Sequence, residues 1–482
     1  MTAHASGRPE SVIVVGAGVS GLAAAHRLTE LARADGRPLD LRVLEARSRA
    51  GGAILTRRRD GFLVEAGPDS FITQKPWALA LCRRLGLESE LIPTNPDCRR
   101  TFVVRDGTLH PVPEGFLLLA PSRILPLLTS RLFSWSGKLR MGLDLVIPRR
   151  DHGLEGDESL ASFVRRRLGT EALERIAQPL VGGIYTADPE NLSLRATMPR
   201  FLEMEREHRS LILAMRRGRR AAGGAGAESG ARYSMFVSLR GGMSVLTEAL
   251  LARLPAGAVE TDAPVRRIRR RPDGWSVELA DGSARTARAV ILTCQAHETA
   301  PILESLDPPL AAELATIDYA SSATMTMAFR REQVRHALDG FGFVVPAVEQ
   351  RTLMAATFSS IKFPGRAPQG RLLIRAFLGG ATQPHVYDLS DRDMQEGVRA
   401  DLRDLIGLRG EPEFVELHRW PRSMPQYPVG HLRRVAVIRR MAARWPGLAL
   451  AGNAFGGVGV PDCVQSGQQA AEAVWSSARP EP

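Results

Sequence analysis

Three glycines near the start of the sequence have the spacing of a dinucleotide-binding turn. They are Gly16, Gly18 and Gly21 in VIVVGAGVSGLAAAHRL, and they directly follow a run of β-branched residues. The first two would let backbone N–H groups approach a diphosphate, and Gly21 would let the following helix pack closely. Glu45 ends the next apolar run, where its carboxylate would accept hydrogen bonds from ribose hydroxyls. The pattern therefore predicts a bound dinucleotide.

Two further glycine-rich segments favour FAD over NAD. EARSRAGG follows the second strand and brings Gly51 and Gly52 past the diphosphate again, as the longer FAD requires. AGNAFGGVGVPDC supplies glycines before a helix that starts near Pro461 and Asp462. A helix N-terminus stabilises the negative charge that a flavin gains on reduction, although Asp462 also fits a plain N-cap. Both ends of the chain are therefore predicted to close over one FAD.

The elements that position these motifs follow from the hydrophobic periods along the chain. Strand-like and helical periods alternate, which indicates a mixed protein of α/β and α+β character. The patterns predict strand–helix–strand over 11–46, hairpins over 53–68 and 101–113, helices over 120–215, a flexible Gly-rich linker over 216–233, a three-stranded meander over 265–293, and strands with short helices over 318–420.

With 482 residues the chain is long enough for two or three domains. We expect a discontinuous Rossmann-like FAD-binding domain from 1–85, 234–296 and 440–482. Residues 86–215 would form a mainly helical subdomain on the substrate side, and 297–439 a mixed-sheet substrate-binding domain.

The composition argues against several other functions. The formal net charge is +12, yet no basic and aromatic patch, helix-turn-helix or zinc-finger spacing accompanies it, so no nucleic-acid partner is expected. The 4 cysteines are scattered without a CxxC pair. They predict neither disulfides nor a metal site, and they favour a reducing, cytoplasmic compartment.

The segment GFLLLAPSRILPLLTSRLF at 115–133 raises the question of membrane contact. Prolines and arginines interrupt it, so it would not cross a bilayer, and the start of the sequence lacks the pattern of a signal peptide. It fits equally an interfacial segment on the inner face of the cell membrane and an ordinary buried helical layer. Peripheral membrane contact by the helical subdomain is thus one of two expectations.

Several segments carry a resemblance to known families. GAGVSGL, LEARSRAGG and the C-terminal glycine-rich segment resemble the flavin amine oxidase superfamily. Within it, five segments resemble the FAD-dependent porphyrinogen oxidases of haem synthesis, namely EAGPDSF (65–71), VGGIYTADPENLSLRATMP (181–199), MEREHRSLI (204–212), GFGFVVP (340–346) and SMPQYPVGHL (423–432).

The resemblance implies the six-electron oxidation of protoporphyrinogen IX to protoporphyrin IX, or of coproporphyrinogen III to coproporphyrin III. Hydride would pass to the flavin, and O2 would accept the electrons and yield H2O2. The hydride chemistry belongs to the cofactor, so the protein needs an apolar slot with few titrating groups. The sequence leaves open which porphyrinogen is used and which oligomeric state the chain adopts.

The resemblance also implies site residues. Phe377 would stack on a pyrrole ring, Val344 would pack nearby, and Gly183 would bring backbone near the reacting edge. Taken without the resemblance, Phe377 and Val344 fit an ordinary β-core and Gly183 a turn. Around FAD the resemblance adds Ala53, Gly67, Pro68, Asp69, Ser70, Val265, Asn453, Val458, Gly459 and Val460.

One departure from the family concerns the substrate carboxylates. Members that act on protoporphyrinogen commonly carry an arginine just before the first aromatic of one strand, but here Thr101 precedes Phe102. The arginines are Arg99 and Arg100, and a one-residue slip moves a strand side chain to the opposite face. Arg100 is the candidate propionate clamp, with Arg99 and a solvated arginine as alternatives.

Two competing functions come from related proteins. Another oxidase or desaturase of the superfamily would act on an amine or a carotenoid, but an amine oxidase needs an aromatic cage, and Phe455 stands alone near the C-terminal motif. A non-catalytic carrier would resemble Rab GDP-dissociation inhibitors, and the intact glycines and Glu45 argue against it.

Overall fold

A five-stranded parallel sheet lies at the centre of the dinucleotide-binding part. The computed structural model describes residues 9–117, 120–150, 156–221 and 236–477. Its two central strands, Glu10–Val15 and Ala289–Leu292, are near-continuous apolar runs buried on both faces, as expected of a parallel sheet covered on each side. The five strands come from three distant parts of the chain, in the spatial order Val259–Glu260, Leu39–Leu44, Glu10–Val15, Ala289–Leu292 and Leu448–Leu450.

Two helices from opposite ends of the chain cover one face of this sheet. The helix Val19–Asp35 follows the first strand, and Val460–Ser477 packs along it. A Cβ on Gly467 would lie 2.0 Å from the carbonyl oxygen of Ser20, so only glycine allows this close crossing. The N-terminal and C-terminal segments therefore share one core.

A seven-stranded sheet forms the second large layer. One of its faces packs on the helix Asp391–Ile406. Its neighbours are antiparallel except for one pair, Gly340–Val344 with Arg100–Arg105. The strand order is Phe414–Pro425, Tyr319–Arg330, Arg371–Gly379, Ala355–Phe358, Gly340–Val344, Arg100–Arg105 and Thr108–Pro111.

The third part is mainly helical and has its own apolar core. A fully buried ion pair at 2.5 Å between Arg167 and Asp144 ties its helices together, and the hydroxyl of Ser210 donates to the same carboxylate at 2.6 Å. Its helical segments are Ile124–Thr129, Trp135–Gly142, Leu143–Leu145, Leu160–Arg167, Thr170–Ala172, Leu173–Ala177, Gln178–Tyr185, Leu194–Thr197, Pro199–His208 and Leu211–Ala221.

The remaining elements connect and cover these three parts. The strands are Thr56–Arg59 with Phe62–Glu65; Phe71–Ile72 and Leu91–Pro93 with Phe236–Leu239; Phe116–Leu117 with Ala120–Pro121; and the meander Val265–Arg271, Gly274–Leu279 and Ala284–Ala287. The helices are Pro76–Arg84, Glu88–Glu90, Ser244–Arg253, Ala296–Leu303, Pro308–Ala315, Arg331–Gln333, Ala347–Glu349, Ser359–Lys362, Pro384–Tyr387 and His431–Ala442.

The mixed α/β fold class is confirmed, while several predicted limits differ from the structure. The hairpin Arg100–Pro111, assigned above to the helical subdomain, extends the mixed sheet because it pairs with Gly340–Val344. The helices Ala296–Leu303, Pro308–Ala315 and His431–Ala442, which the predicted limits assign mostly to the substrate domain, pack on the far face of the parallel sheet. Among the described residues, no helix has the length and apolarity to cross a membrane.

The predicted linker differs as well. The helix that starts at Leu211 continues to Ala221, so 216–221 are helical rather than loose. The remainder of the predicted linker, 222–233, lies outside the described residues.

Candidate active site

The first glycine turn lies against the second glycine segment. Gly16 and Gly18 follow the strand Glu10–Val15, and the helix Val19–Asp35 begins directly after them. A Cβ on Gly52 would lie 2.9 Å from the Cα of Gly18, so the two segments touch. The helix starts without a side-chain cap and without an acidic residue in its first turn, which leaves its N–H groups open to an anion. The cradle fits a diphosphate.

Other glycines of the two segments are needed by the backbone itself. A Cβ on Gly21 would lie 1.9 Å from the carbonyl oxygen of Gly16 and 2.8 Å from the hydroxyl of Thr293. Gly16 and Gly51 adopt φ values of 100° and 105°, which larger residues rarely take. The N–H of Gly51 donates to the carbonyl of Ala17 at 2.8 Å and holds the segments together.

Glu45 is placed beside this turn by two backbone contacts. Its Oε2 accepts from the N–H of Ala17 at 2.7 Å and its Oε1 from the N–H of Arg47 at 3.0 Å. Each carboxylate oxygen can accept a further hydrogen bond, as a ribose would require. The N–H of Ala263 donates to the carbonyl of Glu45 at 2.9 Å, which brings Val265 to the same end of the site.

The segment Gly67–Ser70 lies against the second glycine segment. A Cβ on Gly67 would lie 1.7 Å from the carbonyl oxygen of Ala53, so the two backbones are in contact. Pro68, Asp69 and Ser70 are half-buried in the same loop. The structure therefore brings together all the residues predicted at this point.

Asp69 lies in a small charged network. Its Oδ2 accepts from the Nζ of Lys362 at 2.8 Å, and its Oδ1 accepts from the hydroxyl of Ser70 at 2.7 Å. Burial alone would raise the pKa of Asp69, but Lys362 and Arg375 outweigh it and lower the pKa below its usual range. The carboxylate is thus charged and internally neutralised.

The mixed sheet holds the same loop through the carbonyl of Ala66. This oxygen accepts from the hydroxyl of Thr324 at 2.9 Å, the indole of Trp420 at 3.1 Å and the guanidinium of Arg375 at 3.2 Å. Arg375 also donates to the carbonyl of Gly67 at 2.5 Å. The sequence argument missed these three anchors, although Arg375 precedes Phe377 by two residues and therefore shares its face of the strand.

Phe377 and Val344 lie on the face of the mixed sheet that packs on the helical part, with Ala355 on the strand between them. Both pack in one apolar cluster with Ala355, and Val458 of the C-terminal glycine segment joins the same cluster. The guanidinium of Arg375 lies 4.8 Å from the Phe377 ring centre, between that ring and the loop it holds. Two predicted substrate-site residues and one predicted FAD-site residue thus belong to the same apolar cluster.

Gly183 lies in the helix Gln178–Tyr185 rather than in a turn. Val181 and Tyr185 of this helix pack in the same apolar cluster as Phe377. Gly183 itself is exposed, and a Cβ built on it would meet no atom within 4 Å. Its helix therefore borders the cluster, and the glycine leaves open space at its edge.

The C-terminal glycine segment connects the strand Leu448–Leu450 to the helix Val460–Ser477. Within it, Asn453 donates from Nδ2 to the carbonyl of Ser423 at 3.4 Å. Val458 and Gly459 lead into the helix at Val460, whose side chain is buried in the core of the parallel sheet.

Asp462 supports the glycines of this segment. A Cβ on Gly457 would lie 2.3 Å from the Asp462 carboxyl carbon, and the Nζ of Lys75 pairs with the carboxylate at 2.6 Å. Asp462 in the first helical turn is favourable for the helix dipole as well as for this ion pair.

Arg100, the predicted propionate clamp, lies on the face of its strand that points away from the apolar cluster. It begins the strand Arg100–Arg105, is largely exposed, and pairs with Asp339 at 2.6 Å. Val103 of this strand packs in the apolar cluster, whereas Phe102 lies on the opposite face, which Arg100 shares by alternation. The structure does not bring Arg100 to Phe377, because of the one-residue offset noted in the sequence.

The arrangement matches a known flavoprotein family. The family model described as flavin containing amine oxidoreductase matches residues 19–475, nearly the whole chain. The chain belongs to this family. Its cofactor is accordingly FAD, an identification with which the uncapped helix, the glycine cradle and the position of Glu45 agree.

Members of the family that resemble the chain over nearly its full length include porphyrinogen oxidases. Coproporphyrinogen III oxidase of Bacillus subtilis is 36% identical over 461 residues, which cover 95% of this chain and 96% of the relative. The enzyme of the same name from Propionibacterium freudenreichii is 37% identical and covers 97% and 91%. A solved structure from Exiguobacterium, a provisionally assigned protoporphyrinogen oxidase, has a TM-score of 0.85 at 30% identity and covers 97% and 99%.

Proposed function

We propose that the chain is an FAD-dependent porphyrinogen oxidase of haem biosynthesis, acting in the cytoplasm with coproporphyrinogen III as its preferred substrate. The apolar cluster that contains Phe377, Val344 and Val458 carries the proposal, because it joins the substrate-facing sheet to the segment that closes over the flavin. The names of the two bacterial relatives favour coproporphyrinogen III over protoporphyrinogen IX.

The chemistry of the site agrees with hydride removal from a large apolar ring. Bound FAD would accept a hydride in each of three two-electron steps, and O2 would reoxidise it to give H2O2. The charged groups Arg375, Asp69 and Lys362 are bonded to one another or to backbone carbonyls. Burial raises the pKa of Tyr185 to about 12, so its phenol remains neutral. Neither this network nor the Tyr185 phenol thus offers a base that titrates near pH 7.

Each part of the site would have a distinct task. Gly16, Gly18 and Gly52 would hold the diphosphate of FAD, and Glu45 its ribose. The loop 66–70 and the segment 453–460 would lie beside the flavin ring. Phe377 would stack on a pyrrole ring and exclude water from the reacting carbon.

The test uses purified chain loaded with FAD and offers each porphyrinogen in turn. Porphyrin fluorescence and oxygen uptake are followed together, and we expect three O2 consumed per porphyrin formed. We expect a higher kcat/KM for coproporphyrinogen III than for protoporphyrinogen IX. If neither is oxidised faster than in the enzyme-free control, the proposed activity is wrong. An amine oxidised under the same conditions would favour the competing function.

We propose further that the helical part contacts an anionic membrane surface. Exposed apolar side chains concentrate on its helices, with Leu125 72%, Trp135 69% and Leu139 74% exposed. The only acidic residue within 120–150 is Asp144, and it is buried in its ion pair with Arg167. An apolar face with an excess of arginine fits an interface of anionic lipid.

Flotation with phosphatidylglycerol-containing vesicles tests this contact. We expect the chain to float with these vesicles and the double variant Leu125→Ser, Leu139→Ser to remain behind. Val348→Ser removes an exposed apolar side chain elsewhere and serves as the matched control. Equal flotation of the double variant and the control would disprove the assigned surface.

A further inference from the structure

The segment SMPQYPVGHL carries the resemblance given above, yet no task is assigned to its aromatic residues. Tyr427 in this segment is buried, and its phenol enters the C-terminal glycine segment. The hydroxyl donates to the carbonyl of Asn453 and accepts from the N–H of Gly457 at 3.1 Å. One phenol thus bridges two backbone groups four residues apart in the segment.

His431 adds a third attachment. Its ring stacks on Tyr427 with 4.2 Å between the ring centres and 11° between the planes. Its Nε2 lies 3.0 Å from the carbonyl of Ala454. Burial lowers the pKa of His431 to about 4, so the ring is neutral near pH 7, and the contact to a carbonyl assigns the proton to Nε2.

The glycine segment needs such attachments because its sequence leaves its backbone free to adopt many conformations. Residues 453–459, NAFGGVG, contain three glycines and form neither helix nor strand. Glycine loses the most conformational entropy on ordering. Asp462 supports this segment from the side of the helix, and Tyr427 and His431 hold it from the opposite element.

The backbone around Tyr427 is bonded to the helical part at the same time. The N–H of Ser193 donates to the carbonyl of Tyr427 at 2.8 Å, and the N–H of Val429 donates to the carbonyl of Asn191 at 3.1 Å. The N–H of Gly430 donates to the Oδ2 of Asp157 at 3.2 Å. Tyr427 therefore links the helical part to the segment that closes over FAD.

We propose that Tyr427, supported by His431, is a positioning residue that sets where the segment 453–459 lies against the flavin relative to the substrate cleft. The first half of this inference, the position of the segment against FAD (the cofactor half), rests on the family alone. Its second half, the alignment with substrate, rests on the proposed function.

The first experiment measures FAD binding and the flavin spectrum in Tyr427→Phe. Loss of the hydroxyl leaves a buried carbonyl and a buried N–H without a partner, so we expect the Kd for FAD to rise about tenfold. We also expect a shifted flavin absorbance band. Tyr387→Phe alters a tyrosine whose ring lies against Arg419, away from the segment, and is the matched control. Neither readout requires a porphyrinogen.

The second experiment measures anaerobic flavin reduction by coproporphyrinogen III at saturating FAD. We expect the flavin of Tyr427→Phe to be reduced about tenfold more slowly than that of the parent, with KM within about twofold of the parent value. The reason is that the variant impairs alignment and not substrate binding. His431→Phe keeps the stacked ring but removes the bond to Ala454, and we expect smaller changes in the same direction.

The outcomes separate this inference from the proposed function. If the parent oxidises no porphyrinogen while Tyr427→Phe still weakens FAD binding, the proposed function is wrong and the cofactor half stands. A folded Tyr427→Phe with the FAD affinity, spectrum and reduction rate of Tyr387→Phe overturns the inference. Should Tyr427→Phe fail to fold, unchanged FAD affinity and spectrum in His431→Phe overturn it instead.

Discussion

Alanine at Gly21 should destabilise the apoprotein whereas alanine at Gly18 should not, although the two residues belong to one motif. A Cβ on Gly21 would lie 1.9 Å from the Gly16 carbonyl oxygen, inside the 3.0 Å that real Cβ contacts observe, so the helix must move by about 1 Å. A Cβ on Gly18 meets only the Gly52 Cα at 3.9 Å, an ordinary contact. We therefore expect Gly21→Ala to destabilise the apoprotein by about 1–3 kcal/mol, as overpacking does, and Gly18→Ala to leave it unchanged.

Binding of FAD should reveal the effect of Gly18→Ala. At a ligand concentration of 100 Kd, FAD stabilises the parent by about 2.7 kcal/mol, and a tenfold weaker Kd reduces this to about 1.4 kcal/mol. Thermal melting with and without FAD, together with an FAD titration by flavin fluorescence, measures both quantities. Equal loss of apoprotein stability in Gly18→Ala and Gly21→Ala, or an unchanged FAD-induced shift in Gly18→Ala, would refute this division of tasks.

Three further predictions follow from the site. Phe377→Ala should lower kcat/KM for the porphyrinogen about tenfold or more, because the stacking surface is lost, while the affinity for FAD is unchanged. Steady-state kinetics and an FAD titration measure the two quantities, and an unchanged kcat/KM would contradict the prediction. Arg100→Ala removes only an exposed ion pair, so unfolding should change by less than about 1 kcal/mol and KM should stay the same; a raised KM would restore Arg100 as the propionate clamp. Burial raises the pKa of Asp69, but Lys362 and Arg375 together lower it by more, so the folded pKa lies below the unfolded value of about 4. The Asp69–Lys362 pair therefore stabilises the fold at pH values above about 4, and this stabilisation is lost as the pH falls. Lys362→Met should destabilise the protein at pH 7, and urea unfolding should show the difference from the parent shrinking towards pH 3.

The glycine spacings identified much of the cofactor site because they act locally. Gly16, Gly18 and Gly21 could be read directly from a strand pattern followed by a helix pattern. Turn dipeptides predicted the hairpins in the same way, at Asp60-Gly61 and Asp106-Gly107, and the structure confirms both. Such signals lie within a few residues of one another.

The residues missed by the sequence argument act across long separations. Arg375 reaches Ala66 from 309 residues away, and Tyr427 reaches Asn453 from another element. No local period encodes such contacts, since they depend on how two sheets and the helical part are docked. Folding likewise brings Tyr427 to the C-terminal glycine segment, although no tyrosine lies close to that segment in the sequence.

The strand order of the parallel sheet has a consequence for biosynthesis. The first strand, Glu10–Val15, lies between Leu39–Leu44 and Ala289–Leu292, and the edge strand Leu448–Leu450 is made last. A ribosome must therefore polymerise more than four hundred residues before this sheet is complete. Contacts of such high sequence separation form slowly, and the strand edges that remain unpaired until then promote aggregation. Nascent chains of this enzyme should thus depend on chaperones until the last helix, Val460–Ser477, emerges and covers the sheet.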